Sequence, residues 1–405
     1  MSTDSMRADP WNDELHDLRR RELYRTMPRI TGLPGRLVTI DGCRVLNFSS
    51  NNYLGLAGHP DVVQALADSA RVYGAGSTAS RLIAGNTEIH RELERFIATW
   101  KGTEAAVLFG SGYQANVGVI SSLMDKSDLI VSDELNHASI IDGCRLSRGQ
   151  VIIYPHRDLN RLEDALRTVG FRRKLVVTES VFSMDGDRAA LREIDYLCRR
   201  WKAVLMVDEA HATGVLGDKG QGLAAELGVV PEIQMGTLGK AAGTSGAYVA
   251  GSRRLVELLT NKARSLIYTT AAPPAVVGSA LAALKILSSS EGSVRRARLK
   301  DNMEHFNRLL SRIPGFSADP SHIVPVRVGD SSRTMKVSST CLSEGVFAHG
   351  IRFPTVPEGT ARLRFTLMSD HAPEDLETAV SVLERALEAK DVEPRQANEI
   401  GHCRS

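Results

Sequence analysis

The sequence lacks an excess of either charge, a clustered cysteine pattern and a long apolar run. Its 405 residues include 50 basic and 48 acidic residues, which leaves a formal net charge of +2. This balance disfavours nucleic acid as the main partner, because neutralising phosphates needs a clustered basic excess. The five cysteines are scattered and form no CxxC pair. A zinc site and a disulfide framework are therefore disfavoured, and we expect reduced thiols.

The sequence also lacks a segment suited to secretion or to a bilayer. Residues 1–24 are polar and charged and contain no apolar core of a signal peptide. The most apolar stretch near the middle, Ala271 to Leu287, contains two prolines and a lysine, so it is a poor candidate to span a membrane. We therefore expect a cytoplasmic protein that has no membrane partner.

The central part of the sequence alternates short apolar runs with amphipathic segments. Helical patterns lie at residues 158–169 and 191–201 between some of these runs. This alternation predicts βαβ units and a mostly parallel, seven-stranded sheet of an α/β fold, covered on both faces. Ligands of such sheets bind beyond the carboxyl ends of the strands. The predicted strands are Ala105–Phe109, Leu129–Ser132, Val151–Tyr154, Leu175–Glu179, Val204–Asp208, Ile233–Thr237 and Ala247–Ala250.

A second, smaller α+β unit is predicted after the segment SSSEGS at residues 288–293. It would contain a charged helix at Val294–Ser311, strands at Ile323–Val328 and Ala361–Leu367, and a closing helix at Pro373–Ala389. We expect a large domain at residues 51–287, a small domain at 288–390 and a flexible tail at 391–405. Residues 1–50, with a helix at Asn12–Thr26, would pack with the small domain.

The strongest local motif is Asp208-Glu-Ala-His211 at the end of a predicted strand. A carboxylate there can keep a pyridine nitrogen protonated, which makes the ring of pyridoxal 5'-phosphate (PLP) an electron sink. The imidazole of His211 can hydrogen-bond the phenolic oxygen of that ring. DEAH also occurs in helicases, but that interpretation requires a G-x-x-x-x-G-K-[ST] loop, which the sequence lacks. A structural Asp–His pair stays open.

Lys240 stands in a glycine-rich segment, Gly236-Thr-Leu-Gly-Lys240-Ala-Ala-Gly243, after another predicted strand. A lysine that forms a Schiff base must be partly desolvated, so that its amine can act as nucleophile and base. The glycines let the backbone approach a ligand, and Thr237 adds a hydroxyl suited to phosphate. On this motif alone, an ordinary solvated lysine is an equal alternative.

A phosphate site is predicted where the first central strand runs into Gly110-Ser-Gly112-Tyr113-Gln-Ala-Asn116. A glycine turn that opens a helix directs free backbone N–H groups and the helix dipole at one spot. The third glycine of G-x-G-x-x-G is missing, so a dinucleotide site is disfavoured.

Polar residues also stand at or after two other predicted strands, Leu129–Ser132 and Leu175–Glu179. His137 could stack on a pyridine ring, although a lone histidine is more often structural. Glu179 and Ser183 would line the same mouth. Polar groups after four or five successive strands indicate one shared site rather than separate structural roles.

In their order, these motifs resemble the α-oxoamine synthases, which are PLP enzymes of fold type I. The resemblance runs from about Arg20 to Leu387. Within the family, Tyr268–Pro274 and Arg352–Arg364 look most similar to the members that work in biotin biosynthesis. The segments that carry the family resemblance are Asn47–Leu56, Gly74–Arg81, Ser111–Tyr113, Asn136–Ser139, Glu179–Gly186, Asp208–Gly214 and Gly236–Lys240.

The resemblance implies PLP as cofactor and a role for each motif. Lys240 would hold PLP as a Schiff base and then act as the base, Asp208 would pair with the pyridine nitrogen, and His137 would stack on the ring. The other implied cofactor contacts are His211, Ser183 and Glu179 on the ring, Gly112, Tyr113 and Thr237 on the phosphate, and Thr269 or Thr270 from a second subunit.

The resemblance also implies a condensation of L-alanine with a pimeloyl thioester, on coenzyme A or a carrier protein, in a homodimer whose active site lies at the interface. Arg352 would grip the amino-acid carboxylate as a bidentate pair, with Thr355 on the acyl side. Asn51 and Arg25 match substrate positions, Arg25 without a firm motif. Phe353 stands where these members often have proline, which leaves the shape of the acyl pocket open.

Three other functions are weighed against this one. Family members that join glycine or serine to other acyl thioesters differ only in small pocket details. A dehydrogenase would need a glycine fingerprint with an acidic residue about 20 positions later, and no convincing instance is found. A silent PLP-fold protein would have no chemical need of Lys240, Asp208, His137 and His211 together.

Overall fold

The computed structural model describes residues 10–21, 23–314, 316 and 319–389. The helices of this part of the chain are α1 (Asn12–Arg20), α2 (Pro60–Tyr73), α3 (Glu88–Lys101), α4 (Gly112–Leu123), α5 (Ala138–Leu146), α6 (Leu159–Arg167), α7 (Leu191–Arg200), α8 (Leu223–Leu227), α9 (Arg253–Lys262), α10 (Arg264–Ile267), α11 (Pro274–Leu287), α12 (Ser290–Leu310), α13 (Ser331–Ser343) and α14 (Pro373–Glu388). The strands are β1 (Ile30–Thr31), β2 (Leu37–Ile40), β3 (Cys43–Asn47), β4 (Ala105–Phe109), β5 (Leu129–Asp133), β6 (Gln150–Tyr154), β7 (Lys174–Glu179), β8 (Val204–Asp208), β9 (Ile233–Thr237), β10 (Ala247–Gly251), β11 (Ile323–Gly329), β12 (Val346–Phe347), β13 (His349–Ile351) and β14 (Ala361–Thr366).

The centre of the fold is a seven-stranded sheet with the order β4-β10-β9-β8-β7-β5-β6. Five neighbours from β9 to β6 run parallel, and β10 is antiparallel to both β9 and β4. Because β4 and β9 both oppose β10, their carboxyl ends lie at the same edge of the sheet. The predicted mostly parallel α/β sheet is confirmed.

Apart from the edge strand β6, the sheet is buried on both faces because most of its strands are apolar runs. Leu205 and Val207 of β8 pack into one hydrophobic cluster, and Met206 between them packs into another on the opposite face. Alternate side chains of a strand point to opposite faces, so one short run supplies both layers.

Two smaller sheets contain the remaining strands. β11, β14 and β13 form an antiparallel sheet in that order, and β1, β2, β3 and β12 form a second one in which β12 is parallel to β3. The helices α12 and α14 pack together, as do α13 and α14. The predicted domain limits at residues 50, 287 and 390 stay a prediction, and the tail at 391–405 lies outside the described residues.

Some predicted details differ from the structure. The N-terminal helix ends at Arg20 rather than Thr26, and α12 begins at Ser290, inside the segment expected to be a break. Cys144, Cys198 and Cys341 are buried free thiols as expected, whereas Cys43 is disulfide-bonded. Within the described ranges, every helix is too short or too polar to span a bilayer.

Candidate active site

The carboxyl ends of the parallel strands bring two carboxylates side by side. Asp208 ends β8 and is paired in register with Glu179, which ends β7, and with Met235 of β9 on its other side. Both acidic side chains are almost fully buried. A buried carboxylate is stable only where hydrogen bonds or charges compensate it, so their partners define what this edge of the sheet can do.

Asp208 is held by two donors. The side-chain amide of Asn116 donates to its Oδ2 atom at 2.8 Å, and the backbone N–H of Ala210 donates to its Oδ1 atom at 2.8 Å. Asn116 lies on the first half of α4 and also donates to the hydroxyl of Ser139 at 2.9 Å. The carboxylate is therefore fixed from α4 and from its own loop.

Lys240 joins a chain of buried hydrogen bonds. Its Nζ atom lies 2.7 Å from Nε2 of His211, whose Nδ1 atom lies 2.7 Å from the hydroxyl of Tyr53. Tyr53 in turn donates to Oδ1 of Asn51 at 3.0 Å. Because Tyr53 uses its proton for Asn51, His211 must donate from Nδ1 and accept at Nε2, which gives Lys240 an acceptor for one of its protons.

Burial shifts both Lys240 and His211 toward their neutral forms. Burial lowers the pKa of Lys240 from its usual value to about 8, although the nearby Asp208 and Glu179 carboxyls act in the opposite direction. Burial, and then the positive charge of Lys240, holds the pKa of His211 well below its usual range. A lysine amine with a lowered pKa is available as nucleophile and base near neutral pH.

Glu179 is the second carboxyl of this edge. Burial, followed by the charge of Asp208, raises the pKa of Glu179 to about 8, so it is protonated at neutral pH. Its Oε1 atom and the Oδ1 atom of Asn116 are buried and have no hydrogen-bond partner among the described residues. Buried polar atoms of this kind are normally satisfied, so the pair points to a bound group that completes them.

His137 lies next to the same carboxylates, as the residue directly before α5. Its Nδ1 atom is 2.8 Å from the hydroxyl of Ser139 and accepts the backbone N–H of Ser139 at 3.2 Å. Burial lowers the pKa of His137, against the pull of Asp208 and together with the charge of Lys240. A neutral imidazole fixed at its Nδ1 edge can stack on a flat ring.

The predicted phosphate end is built from β4, α4 and β9. A Cβ atom on Gly112 would lie 3.9 Å from Cβ of Thr237, so the start of α4 faces the end of β9. Ser111 caps α4 by accepting the N–H of Gln114 at 3.2 Å, and Tyr113, half-exposed, donates to Asp142. A helix start with a nearby threonine hydroxyl suits a phosphate.

Thr269 and Thr270 follow α10. The hydroxyl of Ser265 in α10 donates to the carbonyl of Gln114 at 2.6 Å, which anchors this helix beside the first turn of α4. Thr270 is exposed and Thr269 is half-buried. The two threonines therefore extend from the phosphate end toward solvent.

Two glycines around Lys240 are explained by protein packing. A Cβ atom at Gly236 would lie 2.4 Å from the hydroxyl of Tyr248, and one at Gly243 would lie 2.3 Å from the backbone nitrogen of Ala57. Gly243 also has a φ of 67°, which favours glycine. These glycines let the Lys240 turn pack against β10 and the segment around Ala57, whereas the sequence analysis had assigned them to a ligand.

The sequence analysis missed Arg364, a buried arginine in β14. Its Nε atom donates to the carbonyl of Ser183 at 2.6 Å, and both terminal nitrogens lie 3.3 Å from Oδ1 of Asn51. Asn51 thereby connects the guanidinium to Tyr53, His211 and Lys240. The signal was present as a charge inside the apolar pattern Ala361-Arg-Leu-Arg-Phe-Thr366, which is buried throughout.

The other predicted substrate residues lie on a more open rim. Arg352 donates to the carbonyl of Tyr24 at 3.0 Å and contacts the sulfur of Met335 at 3.2 Å, and the N–H of Thr355 donates to the Arg352 carbonyl at 3.0 Å. Burial lowers the pKa of His349, and the charges of Arg352, Arg25 and Arg364 lower it further. The positive charges of three arginines thus act on one histidine.

The residues fit a PLP group. Asp208 offers a carboxylate that is fixed and buried, Lys240 an amine whose pKa is lowered to about 8, and His137 a neutral ring beside them. The unpartnered Glu179 oxygen lies at the end of β7, and the unpartnered Asn116 oxygen belongs to the side-chain amide that holds Asp208. Asp208 would pair with the pyridine nitrogen and Lys240 would hold the aldehyde carbon, with the phosphate at Gly112 and Thr237.

Comparison with known proteins agrees with this chemistry. A family described as aminotransferase class I and II matches residues 44–383. The 8-amino-7-oxononanoate synthase of Geobacter metallireducens is 49% identical over 378 residues, which is 92% of this chain and 96% of that protein. The synthase of Geobacter sulfurreducens is 48% identical over 377 residues, with the same two coverages of 92% and 96%.

Solved structures show the same fold. The serine palmitoyltransferase of Sphingomonas wittichii superposes with a TM-score of 0.88 at 30% identity, covering 94% of this chain and 98% of that one. An 8-amino-7-oxononanoate synthase of Francisella tularensis gives a TM-score of 0.74 at 30% identity, covering 85% and 98%. The chain belongs to the aminotransferase class I and II family and, within it, to the α-oxoamine synthases with the 8-amino-7-oxononanoate synthases as relatives.

Proposed function

We propose that the chain condenses L-alanine with a pimeloyl thioester, carried by coenzyme A or by a carrier protein, in biotin biosynthesis. The products are 8-amino-7-oxononanoate, carbon dioxide and the free thiol. The observation that carries the proposal is the Lys240–His211 contact of 2.7 Å beside the fixed Asp208 carboxylate. The relatives at 48–49% identity that have this activity by name support the choice of substrates.

PLP, when bound, supplies an electron sink for the charge that develops at Cα of the amino acid. Asp208 would hold a proton on the pyridine nitrogen and so keep that sink effective. Lys240 Nζ removes the Cα proton, and its lowered pKa leaves part of the amine neutral near pH 7. His211 accepts a hydrogen bond from Nζ and so orients its lone pair.

Two guanidinium groups are candidates for the carboxylate of L-alanine. Arg352 is the one expected from the sequence, and its contacts on the rim include the carbonyl of Tyr24 and the sulfur of Met335. Arg364 shares Asn51 with the Tyr53–His211–Lys240 chain. We assign the alanine carboxylate to Arg364 with Asn51, and the remote carboxylate of the pimeloyl chain to Arg352 and Arg25, with Thr355 beside them.

A homodimer with the site at the interface is part of the proposal. Large apolar side chains are exposed near the phosphate end and on the neighbouring loop, including Tyr268, Ile83 and Leu82. Exposed apolar groups of this kind mark interaction surfaces when they cluster. In the dimer, Thr269 or Thr270 would reach the phosphate of the partner's site.

The test is a substrate matrix that follows thiol release. L-alanine, glycine and L-serine are each combined with pimeloyl-, acetyl-, succinyl- and palmitoyl-CoA, together with the Lys240→Ala variant as the inactive control. The proposal expects L-alanine with pimeloyl-CoA to give the highest kcat/KM. A higher value for another pair would assign the chain to 2-amino-3-ketobutyrate CoA ligase, 5-aminolevulinate synthase or serine palmitoyltransferase chemistry instead.

A further inference from the structure

A charged cluster beside the active site has no part in the reaction described above. His156 follows β6 and lies between two carboxylates. Its Nδ1 atom is 3.1 and 3.2 Å from the two carboxylate oxygens of Asp133, and its Nε2 atom is 2.8 Å from Oδ2 of Asp187. An ionised carboxylate only accepts hydrogen bonds, so both ring nitrogens must donate and the ring must be an imidazolium.

The charges around the ring are consistent with that state. Burial disfavours the cation, but the hydrogen bonds to Asp133 and Asp187 outweigh it and raise the pKa of His156 to about 9. Glu134 accepts the backbone N–H of His156 at 2.7 Å, and a guanidinium nitrogen of Arg157 lies 4.0 Å from Asp187. The ring thus lies between Asp133, at the end of β5, and Asp187, in the loop that follows β7.

One side of the cluster belongs to the segment that carries His137. Asp133 is the last residue of β5, and its Oδ1 atom also accepts the N–H of Leu135 at 2.9 Å. Asn136, the next residue, donates to the carbonyl of Val177 at 2.8 Å. His137 follows directly. The Asp133–His156 contact therefore fixes the start of the five-residue segment Asp133–His137, whose last residue is the proposed ring-stacking histidine.

The other side belongs to the loop that carries Ser183. The carbonyl of Asp187 accepts the N–H of Phe182 at 3.0 Å, and the ring of Phe182 packs edge-on against His156 with centroids 4.4 Å apart. Ser183 comes next and accepts Nε of Arg364 at 2.6 Å. His156 therefore contacts this loop at two places, Asp187 and Phe182, and Phe182 is the residue directly before Ser183.

We propose that His156, as an imidazolium, is a positioning residue that holds these two loops at a fixed separation. The clamp sets His137 against the cofactor ring and sets Arg364, through Ser183, toward the substrate carboxylate. The inference rests on the proposed function for the identity of that ring and that carboxylate. In this role His156 acts through the two loops and does not itself contact the substrate or take part in the reaction.

The clamp is tested with His156→Gln and Asp187→Asn. Glutamine removes the charge and one of the two donors, whereas the asparagine keeps the size of Asp187 and removes its charge. His305→Gln is the matched control, since His305 pairs with Glu377 at 3.8 Å on helices away from both loops. The readouts are the circular dichroism of the bound cofactor in the visible range, kcat and KM for L-alanine, and the ¹⁵N shifts of the histidine rings.

We expect His156→Gln to lower kcat/KM for L-alanine about 10- to 100-fold, which is the range for a displacement of catalytic groups by up to about 1 Å. The dichroism of the cofactor should weaken in His156→Gln. The His305→Gln control should keep the thermal midpoint and the kinetics of the parent. Asp187→Asn should give a smaller loss of the same kind. In the unsubstituted protein, both ring nitrogens of His156 should be protonated at pH 7.5.

The clamp would be overturned by a folded His156→Gln or Asp187→Asn variant whose kcat and KM lie within twofold of the parent and whose cofactor dichroism is unchanged. A neutral His156 ring at pH 7.5 would overturn it as well, and that readout needs no cofactor. If the unsubstituted protein releases no thiol with L-alanine, the proposed function fails, and the dichroism and ring shifts still decide whether His156 holds the loops.

Discussion

The two halves of the site are built in different ways. The cofactor half consists of Asp208, Glu179 and His211, which are at most 4% exposed and lie at or next to the ends of adjacent parallel strands. The proposed substrate half consists of Arg25 from an N-terminal loop and of Arg352 and Thr355 from one loop near the other end of the chain, and all three lie half-buried or exposed.

The difference shows which part of the chemistry the fold itself determines. Strand register places the cofactor residues within the rigid core, so their geometry needs no ligand. Arg25 and Arg352 of the substrate half both act on His349, together with Arg364, so three positive charges influence one region. Like charges at close range favour an anionic ligand between them. The reaction type is thus set by the sheet, and the substrate range by the rim.

Removal of the Lys240 amine is the strongest way to break the cofactor half. We expect Lys240→Ala to lose about 10⁴-fold or more in kcat, because both the covalent anchor and the general base disappear. The visible absorbance of the lysine-bound cofactor should vanish. Lys300→Ala on α12, whose side chain is 74% exposed, is the control and should keep full activity.

Arginine-to-lysine variants separate the two halves. Arg364→Lys keeps the charge but cannot reach Asn51 and Ser183 together, so kcat/KM for L-alanine should fall about 100-fold, or about 2.7 kcal/mol. Arg352→Lys should instead raise KM for the pimeloyl thioester about 10-fold. Steady-state kinetics with each substrate varied in turn measure both. If the two effects are exchanged, the sequence-based assignment of the alanine carboxylate to Arg352 is right.

The pH dependence of cofactor capture probes the buried amine. Only neutral Lys240 reacts with the aldehyde, and its pKa is about 8, so the capture rate by the cofactor-free protein should rise about tenfold per pH unit below 8 and level off above it. Stopped-flow absorbance measures the rate. Asp208 raises the pKa of Lys240, so Asp208→Asn should move the plateau to lower pH. A rate that keeps rising to pH 10 would contradict the burial of the amine.

The smallest effect is expected at the connection between the halves. Tyr53→Phe removes the hydroxyl that joins His211 to Asn51 but keeps the ring, whose centroid packs 4.5 Å from that of His322. A net hydrogen bond contributes about 1 kcal/mol to stability, so the variant should lose at least about that much free energy of unfolding, and the loss of the acceptor that orients His211 should lower kcat about fivefold. Tyr248→Phe, which removes a buried hydroxyl contacting Thr213, serves as the matched control.

Most of the cofactor half could be predicted from sequence, because each residue follows an uninterrupted apolar strand. Asp208, Glu179 and Thr237 are each the last residue of a strand that the apolar pattern had located to within one residue. A buried apolar run has clear limits, and the polar residue after it lies at a known edge of the sheet.

The rest depends on contacts between distant segments. Tyr53 and Arg364 lie 311 positions apart in the chain, and both reach the network through Asn51. No local sequence pattern indicates such a pairing. The N-terminal helix was predicted six residues too long because its charged sequence continues past Arg20, where the chain turns away. The roles of the individual site residues and the domain limits stay predictions.

The in-register pairing of Glu179 with Asp208 also limits insertions and deletions within β8. Deleting one residue from Val204–Val207 would keep β8 apolar, yet with the start of the strand still in register with β7 every side chain after the deletion would change face. Asp208 would then project into the packing layer of the opposite face. Such a deletion would leave a sheet of the same composition without an anchor for the pyridine nitrogen. Length variation in this lineage is therefore expected in the loops between strands and not within β8.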